Sequence, residues 1–161
     1  MKNARTLAVA LGLVALAGAS VQAQSANQTV TFAVNAINQI AFAGAPSLTI
    51  TTAVAGSNPT SVSDATASWA VTTNQTGAKI TASIPSNMPA GLTLTSALAA
   101  PAGATSAGAL ALSTVSVDLV TTITKLAQGS LGVTYSLAAT PAAGVIASAT
   151  RVVTYTITGG T

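Results

Sequence analysis

The sequence predicts an all-β protein, built as one antiparallel β-sandwich of about seven to eight short strands. Three observations lead to this prediction. Apolar and polar residues alternate with a period of two along most of the chain, and the alternating runs are rich in Thr, Val, Ile and Tyr. Segments that contain Gly or Pro separate the runs. Many short strands with turn signals between them are typical of a β-sandwich.

The chain opens with the three-part pattern of a secretory signal peptide. Lys2 and Arg5 supply positive charge before a short apolar run, and Val21-Gln22-Ala23 supplies a small-x-small cleavage site. The run is too short to span a bilayer comfortably, so we expect no membrane insertion of the mature chain. We therefore expect residues 1–23 to be a signal peptide and residues 24–161 to be one domain, secreted and located extracellularly or at the cell surface.

Each predicted strand has one apolar face. The first, TVTFAV, places Val30, Phe32 and Val34 on one face and Thr29 and Thr31 on the other. The later predicted strands are SLTIT (47–51), ASWAVTTN (67–74), AKITASI (78–84), GLTLTSAL (91–98), LGVTYSLA (131–138) and RVVTYTIT (151–158). The sequence thus predicts that the mature chain starts with a strand almost at once.

Two segments between the strands have local signals of their own. Residues 74–77, Asn-Gln-Thr-Gly, have the composition of a hairpin turn between the flanking strands. Residues 116–129 differ, because Leu119, Ile123 and Leu126 lie near helical spacing and Gly129 follows them. We expect one short helix or helical turn there, crossing between the sheets.

The composition excludes most catalytic chemistry. The chain has five Lys and Arg, two Asp and Glu, no His and no Cys, and a formal net charge of +3. General acid–base catalysis, Ser-His-Asp or Cys-His systems and zinc sites need residue types that are missing. Asp64 and Asp118 are too few for a calcium loop and are far apart in sequence. We predict a protein that is not an enzyme, with no cofactor and no metal, and with no basic patch for nucleic acid.

Trp69 is the only tryptophan and has two interpretations. An exposed Trp could stack on a sugar, which makes Trp69 the candidate contact for a glycan ligand. A Trp between two sheets is also a common core residue, and its neighbours at two-residue spacing, Ala67 and Val71, are apolar. The pattern favours the core.

The segments TVTFAVNAINQIAF, SWAVTTN, KITASI, MPAGLTLTSALAAPAGATSAGALALST and LGVTYSLAATPAAGVIASATRVVTYTIT cover nearly the whole mature chain. In these strands and turns the chain resembles a group of small, Cys-free bacterial secreted proteins that look like immunoglobulin-like or pilin-like β-sandwiches. The closing VTYTIT is similar to the last strand of many fimbrial and surface domains. The resemblance also implies a candidate Lys–Asn isopeptide bond, with Lys79 beside Asp64 or Asp118.

The first functional hypothesis is a structural protein, a subunit of an extracellular filament or surface coat. Its early strand, Thr29 to Val34, would act as a donor strand that adds to a neighbour's open sheet, with Val30, Phe32 and Val34 filling pockets. The expected partner is another copy of the chain, in a homopolymer, or another surface protein. The same strand could instead complete its own sandwich. The alternative is a monomeric secreted adhesive or carbohydrate-binding module.

Overall fold

The computed structural model describes residues 22–161, and the regular secondary structure of residues 34–161 consists almost entirely of strands. Among the described residues, the only helical element is a 3₁₀ turn at Pro141–Ala143. The strands are β1 (Asn38–Ala43), β2 (Val62–Thr73), β3 (Ala78–Ser83), β4 (Leu92–Leu98), β5 (Thr105–Ser106), β6 (Leu110–Ala111), β7 (Val117–Ile123), β8 (Leu126–Ala139) and β9 (Thr154–Thr158). None of the helices within residues 22–161 has the length and apolar character to cross a membrane.

The strands form two antiparallel sheets, as the sequence predicts. One sheet has five strands in the order β1-β2-β8-β4-β6, and the other has four in the order β5-β7-β3-β9. Strands that follow each other along the chain often lie in different sheets, so the chain crosses repeatedly between the two layers. The predicted antiparallel β-sandwich is confirmed.

The core lies between the inner faces of the two sheets. The five-stranded sheet contributes Trp69, Leu98 and Val133, and the four-stranded sheet contributes Ile80 and Leu119, all at most 2% exposed. These side chains recur every second residue, because successive side chains of a strand point to opposite faces. A core of mostly aliphatic residues therefore holds the sheets together without a disulfide.

One end of the sandwich, which we call the closed end, consists of short connections that bind one another. Residues 74–77 join β2 to β3, and Thr124-Lys125 join β7 to β8. The Lys125 N–H donates to the carbonyl of Gln75 (2.9 Å), and the Thr76 N–H donates to the carbonyl of Thr161 (3.0 Å). A Cβ at Gly160 would lie 1.5 Å from the Thr76 carbonyl oxygen, so only glycine fits there.

The opposite end, which we call the open end, consists of longer connections. These are residues 44–61, 84–91 and 140–153. The two sheets also differ in length there, since β2 and β8 have 12 and 14 residues while β3 and β9 have six and five. At about 3.3 Å per residue, β2 spans about 40 Å and β3 about 20 Å. The inner face of the longer sheet therefore extends past the shorter one.

The helix predicted within residues 116–129 is wrong. This segment forms β7 and the start of β8, with a two-residue crossing between them. The pairing of β3 with β7 is irregular between Ala78 and Thr81, and Leu119 and Val120 are both fully buried. A bulge of this kind puts two successive residues on the core side, which produces a spacing that imitates a helix.

The predicted hairpin at residues 74–77 is also wrong, although the turn itself is present. β2 pairs with β1 and β8, while β3 pairs with β7 and β9. The turn therefore carries the chain from one sheet to the other. Its sequence signals a reversal of direction but not the sheet that the next strand joins.

Two predicted strands are not strands in the structure. Thr29–Val34 and residues 47–51 have no regular secondary structure and no strand partner among the described residues. Their alternating pattern supplies an apolar face, but a strand exists only when a neighbour satisfies its N–H and C=O groups. The other predicted strands are present, with boundaries shifted by a few residues.

Candidate functional site

An apolar groove of about 1240 Å³ opens at the open end of the sandwich. Its floor is the part of the five-stranded sheet that extends past the shorter sheet, and it includes Leu92, Leu94, Tyr135 and Leu137. Leu92 and Leu137 are only half-buried, unlike the same sheet's residues in the core. The groove exists because the sheets differ in length and loops alone cover the difference.

The first wall of the groove is the segment Ser47-Leu-Thr-Ile-Thr51. Leu48 and Ile50 are half-buried, while Ser47, Thr49 and Thr51 are exposed, as expected for one edge of a sandwich. The Ser47 N–H donates to Asp64 Oδ2 (2.9 Å), which fixes the start of the wall to β2. No backbone–backbone hydrogen bond joins residues 47–51 to another described residue. The wall is thus strand-like in sequence but has no backbone partner among the described residues.

The second wall is residues 144–153, which lead into β9. Val153 is half-buried and continues the inward face of β9, and Arg151 is exposed at the rim. Residues 145–153 also make no backbone–backbone hydrogen bond with another described residue. Gly91 supports the start of this wall, because its φ is +78° and a Cβ there would lie 2.5 Å from the Ala143 nitrogen.

Aromatic rings connect the groove to the core. Phe42 of β1 stacks on Tyr155 of β9 with ring centroids 4.0 Å apart, and on Trp69 at 6.0 Å. The Tyr155 hydroxyl lies 2.8 Å from Ser96 Oγ and 2.8 Å from the Tyr135 hydroxyl. Burial raises the pKa of Tyr155, so its hydroxyl stays neutral at physiological pH. The groove therefore has an uncharged floor whose polar groups bind one another.

The side of the sandwich next to the groove has two free strand edges. Among the described residues, β1 pairs only with β2, and β9 pairs only with β3. Both are outermost strands of their sheets, and the stack of Phe42 on Tyr155 joins them. Free edges of this kind are templates for pairing with another strand.

The predicted donor residues lie in an exposed segment. Residues 22–33 form a unit without regular secondary structure, and Thr29 and Thr31 are exposed within it. The exposed fractions of Val30, Phe32 and Val34 are 71%, 89% and 78%. Each of these apolar side chains would gain about 1.5–3 kcal/mol if it were buried.

The N-terminal segment enters the sandwich at the closed end, where Asn74 holds it. Asn74 Oδ1 accepts from the Ile37 N–H (2.8 Å), and Asn74 Nδ2 donates to the Asn35 carbonyl (2.7 Å). The Asn74 N–H donates to the Ile37 carbonyl (3.2 Å), which extends the β1–β2 ladder by one residue. The attachment point of the segment is thus at the end of the sandwich opposite the groove.

The two aspartates of the chain lie in different sheets. Asp64 is in the five-stranded sheet and Asp118 in the four-stranded sheet. Hydrogen bonds from the Thr66 hydroxyl, the Ser47 N–H and the Thr66 N–H lower the pKa of Asp64, so it is an ordinary carboxylate that orders a loop. Within residues 22–161 there is no cluster of three or more acidic, His or Cys residues that could hold a metal.

Lys79 forms an ion pair with Asp118, with Nζ 3.1 Å from the carboxylate oxygens. Their side chains are 43% and 47% exposed, so the pair is solvated and contributes little to stability. The buried acid that an isopeptide bond needs is not at this position.

Trp69 is 2% exposed and lies in the core, which confirms the core interpretation. Its indole N–H has no hydrogen-bond partner among the described residues. A glycan cannot stack on this side chain without opening the sandwich.

Comparison with protein-family models, with curated proteins and with solved structures finds no match for this chain.

Sequence reasoning missed the groove walls and Asn74 as functional residues. Residues 47–51 and 151–153 have a strand pattern, and only the structure shows that they lack partners. Asn74 is part of a turn by composition, and its role depends on Asn35 and Ile37 lying across from it. No local signal distinguishes such an asparagine from an ordinary turn residue.

Proposed function

We propose that this chain is a non-catalytic extracellular structural protein, a subunit of a surface fibre or coat that assembles by β-strand addition. Thr29–Val34 of one copy inserts into the open-end groove of the next copy. One observation carries the proposal: an apolar groove with unpaired, strand-patterned walls occurs in the same chain as an exposed, strand-patterned apolar segment.

The chemistry of the groove matches that of the segment. An inserted strand supplies backbone N–H and C=O groups to residues 47–51 and 151–153, which have none from the described chain. Val30, Phe32 and Val34 meet a floor of Leu and Tyr side chains, while Thr29 and Thr31 remain on the solvent side. Backbone bonds then give affinity and alternating pockets give register.

The positions of the two surfaces favour an open polymer. The donor segment is attached at the closed end, and the acceptor groove is at the open end. Since donor and acceptor are different surfaces, the contact is heterologous and each added copy leaves a new groove and a new donor. The low charge of the chain supports this assembly, because copies repel one another weakly.

Secretion remains part of the proposal. The signal peptide predicted at residues 1–23 lies almost wholly outside the described residues, so it stays a prediction from sequence. A chain with no Cys, no His and no Glu also suits a structural role better than a catalytic one.

The decisive experiment compares Phe32→Asp with Thr31→Asp in the chain that begins at Gln24. The two variants add the same charge one residue apart, on opposite faces of the donor segment. We expect the wild type and Thr31→Asp to form filaments in negative-stain images and large species in light scattering. Phe32→Asp should remain monomeric, because a carboxylate cannot enter an apolar groove without a large desolvation cost.

A second experiment identifies the acceptor directly. A chain that begins at Asn35 is mixed with a synthetic peptide of residues 24–36, and hydrogen exchange is followed by mass spectrometry. Amides of residues 49–51 and 151–153 should become protected when the peptide is added, and not when the peptide carries Phe32→Asp. Equal protection with both peptides, or none with either, would contradict strand addition into this groove.

The alternative function is a monomeric adhesive or carbohydrate-binding module. In residues 34–161 all four aromatic side chains are buried or half-buried, which leaves no exposed platform for a sugar ring in the sandwich. The observations therefore support the structural role better. Monomeric wild-type protein that binds an immobilised glycan would reverse this preference.

A further inference from the structure

We infer that Asn74 is the positioning residue that makes strand addition intermolecular, an inference that rests on the proposed function. Asn74 makes three hydrogen bonds with the root of the donor segment: two to Ile37 and one to Asn35. Asn74 also accepts from Gln75 Nε2 (3.3 Å), and its side chain is half-buried at the closed end. The root is thereby held in line with β1.

Self-insertion is the arrangement that these bonds oppose. The free edge of β1 runs from the root toward the groove, so the donor segment could fold back along it. A turn centred on Ala36 would bring Phe32 beside Ile40 and Val30 beside Phe42, with both apolar faces toward the core. In this register Val30 and Phe32 would face the core side, as they would on insertion into a neighbour. Composition and hydrophobic pattern alone therefore do not decide between them.

The turn needs the backbone groups that Asn74 occupies. Folding back requires residues 35–37 to leave the extended conformation, which breaks the bonds from the Ile37 N–H and to the Asn35 carbonyl. Each lost bond shifts the equilibrium about five- to tenfold against self-insertion. A donor kept off its own β1 edge is available to a second copy, and its own groove stays open to a third.

The test replaces Asn74 in the chain that begins at Gln24. Asn74→Ala removes both side-chain bonds, and Asn74→Asp keeps the acceptor for Ile37 but loses the donor to Asn35. Light scattering measures the ratio of monomer to polymer, and hydrogen exchange of residues 30–34 reports whether the donor segment is paired. We expect Asn74→Ala to raise the ratio of monomer to polymer tenfold or more, with residues 30–34 protected in the monomer. Asn74→Asp should shift the ratio less.

The matched control is Gln128→Ala, which removes a side-chain amide whose oxygen accepts from the Ala102 N–H at 2.8 Å and which belongs to neither the root nor the groove. It should leave the ratio unchanged. An Asn74→Ala chain that polymerises like the wild type, or a monomer whose residues 30–34 exchange freely, would overturn the inference. A wild type that is monomeric, or whose donor segment is unprotected in the polymer, would overturn the proposed function instead. Near-ultraviolet circular dichroism verifies that each variant is folded.

Discussion

The two ends of the sandwich differ in how the backbone groups of their connecting segments are paired. At the closed end, short connections bind one another, and backbone groups of Gln75, Thr76, Lys125 and Thr161 are paired. At the open end, two extended segments of similar composition lie over an apolar floor without backbone partners among the described residues. The closed-end connections are short and consist mainly of Asn, Gln, Thr and Gly, whereas the open-end segments have the alternating apolar and polar pattern of strands.

The difference shows that strand pattern and strand pairing are separate properties. A pattern decides which face of a segment can be buried, and the number of available neighbours decides whether its backbone is satisfied. At the closed end, backbone groups of the connections bond to one another. At the open end, residues 47–51 and 145–153 have no backbone partner among the described residues, and a segment with a strand pattern, Thr29–Val34, occurs elsewhere in the same chain.

The largest predicted difference in the free energy of unfolding is between truncation of a leucine in the core and truncation of a leucine on the groove floor at the open end. Leu98 is 1% exposed in the core, and Leu137 is half-buried on the groove floor. Leu98→Ala should lower the free energy of unfolding by about 3 kcal/mol, because it leaves a cavity. Leu137→Ala should cost less than about 1.5 kcal/mol in the isolated subunit, because water already reaches its side chain.

Urea denaturation of subunits that begin at Asn35 measures both values. In the full mature chain the order should reverse for assembly, since Leu137→Ala weakens the acceptor floor and Leu98→Ala does not contact it. Equal unfolding costs for the two variants would show that the groove floor is as tightly packed as the core.

A smaller loss of stability should follow when a glycine at the closed end is replaced by alanine. Gly160→Ala places a Cβ against the Thr76 carbonyl and should break the bond from the Thr76 N–H to Thr161, at a cost of about 1 kcal/mol. Gly132→Ala is the matched control, because a Cβ at this β8 position has nothing within 4 Å. It should be neutral or stabilising by about 0.5 kcal/mol. Thermal denaturation and exchange of the Thr76 amide distinguish the two.

The smallest predicted effect on stability concerns Asp64, whose carboxylate accepts a hydrogen bond from the Ser47 N–H at the start of the first wall of the groove. The pKa of Asp64 is lowered in the folded state, so its ionised form stabilises the fold above the unfolded pKa of about 3.9, and this contribution is lost as the pH falls through the folded pKa. The free energy of unfolding of Asp64→Asn should therefore differ from that of the wild type at pH 6, and the difference should shrink as the pH falls below about 3.9.

Exchange of the Ser47 amide reports the same contact, and it should accelerate at pH 6 in Asp64→Asn. Asp118→Asn, which removes the other carboxylate of the described chain from the other sheet, should leave that amide unchanged. An equal acceleration in both variants would mean that Asp64 does not hold the wall.

The sequence alone predicted the sandwich and five of the nine strands that the structure describes. Period-two runs such as Ala78–Ser83 and Thr154–Thr158 became strands, and the apolar neighbours of Trp69 correctly indicated the core. These features depend on burial of one face, which alternation encodes directly.

The errors have a common cause in long-range pairing. Residues 47–51 have a strand pattern but no partner, and residues 74–77 turn the chain without specifying the next sheet. The bulge at Leu119 and Val120 shifts the alternation and imitates a helix. The groove follows from the unequal lengths of the two sheets, which is a property of pairing and not of any local segment.

The aromatic stack connects the groove to the single tryptophan of the chain. The single indole, of Trp69, lies 6.0 Å from Phe42, which in turn contacts Tyr155 at the groove. A strand that entered the groove would contact Phe42 or Tyr155, and we expect it to change the environment of a fluorophore that solvent does not reach. Intrinsic emission should then report groove occupancy and time assembly without an attached dye.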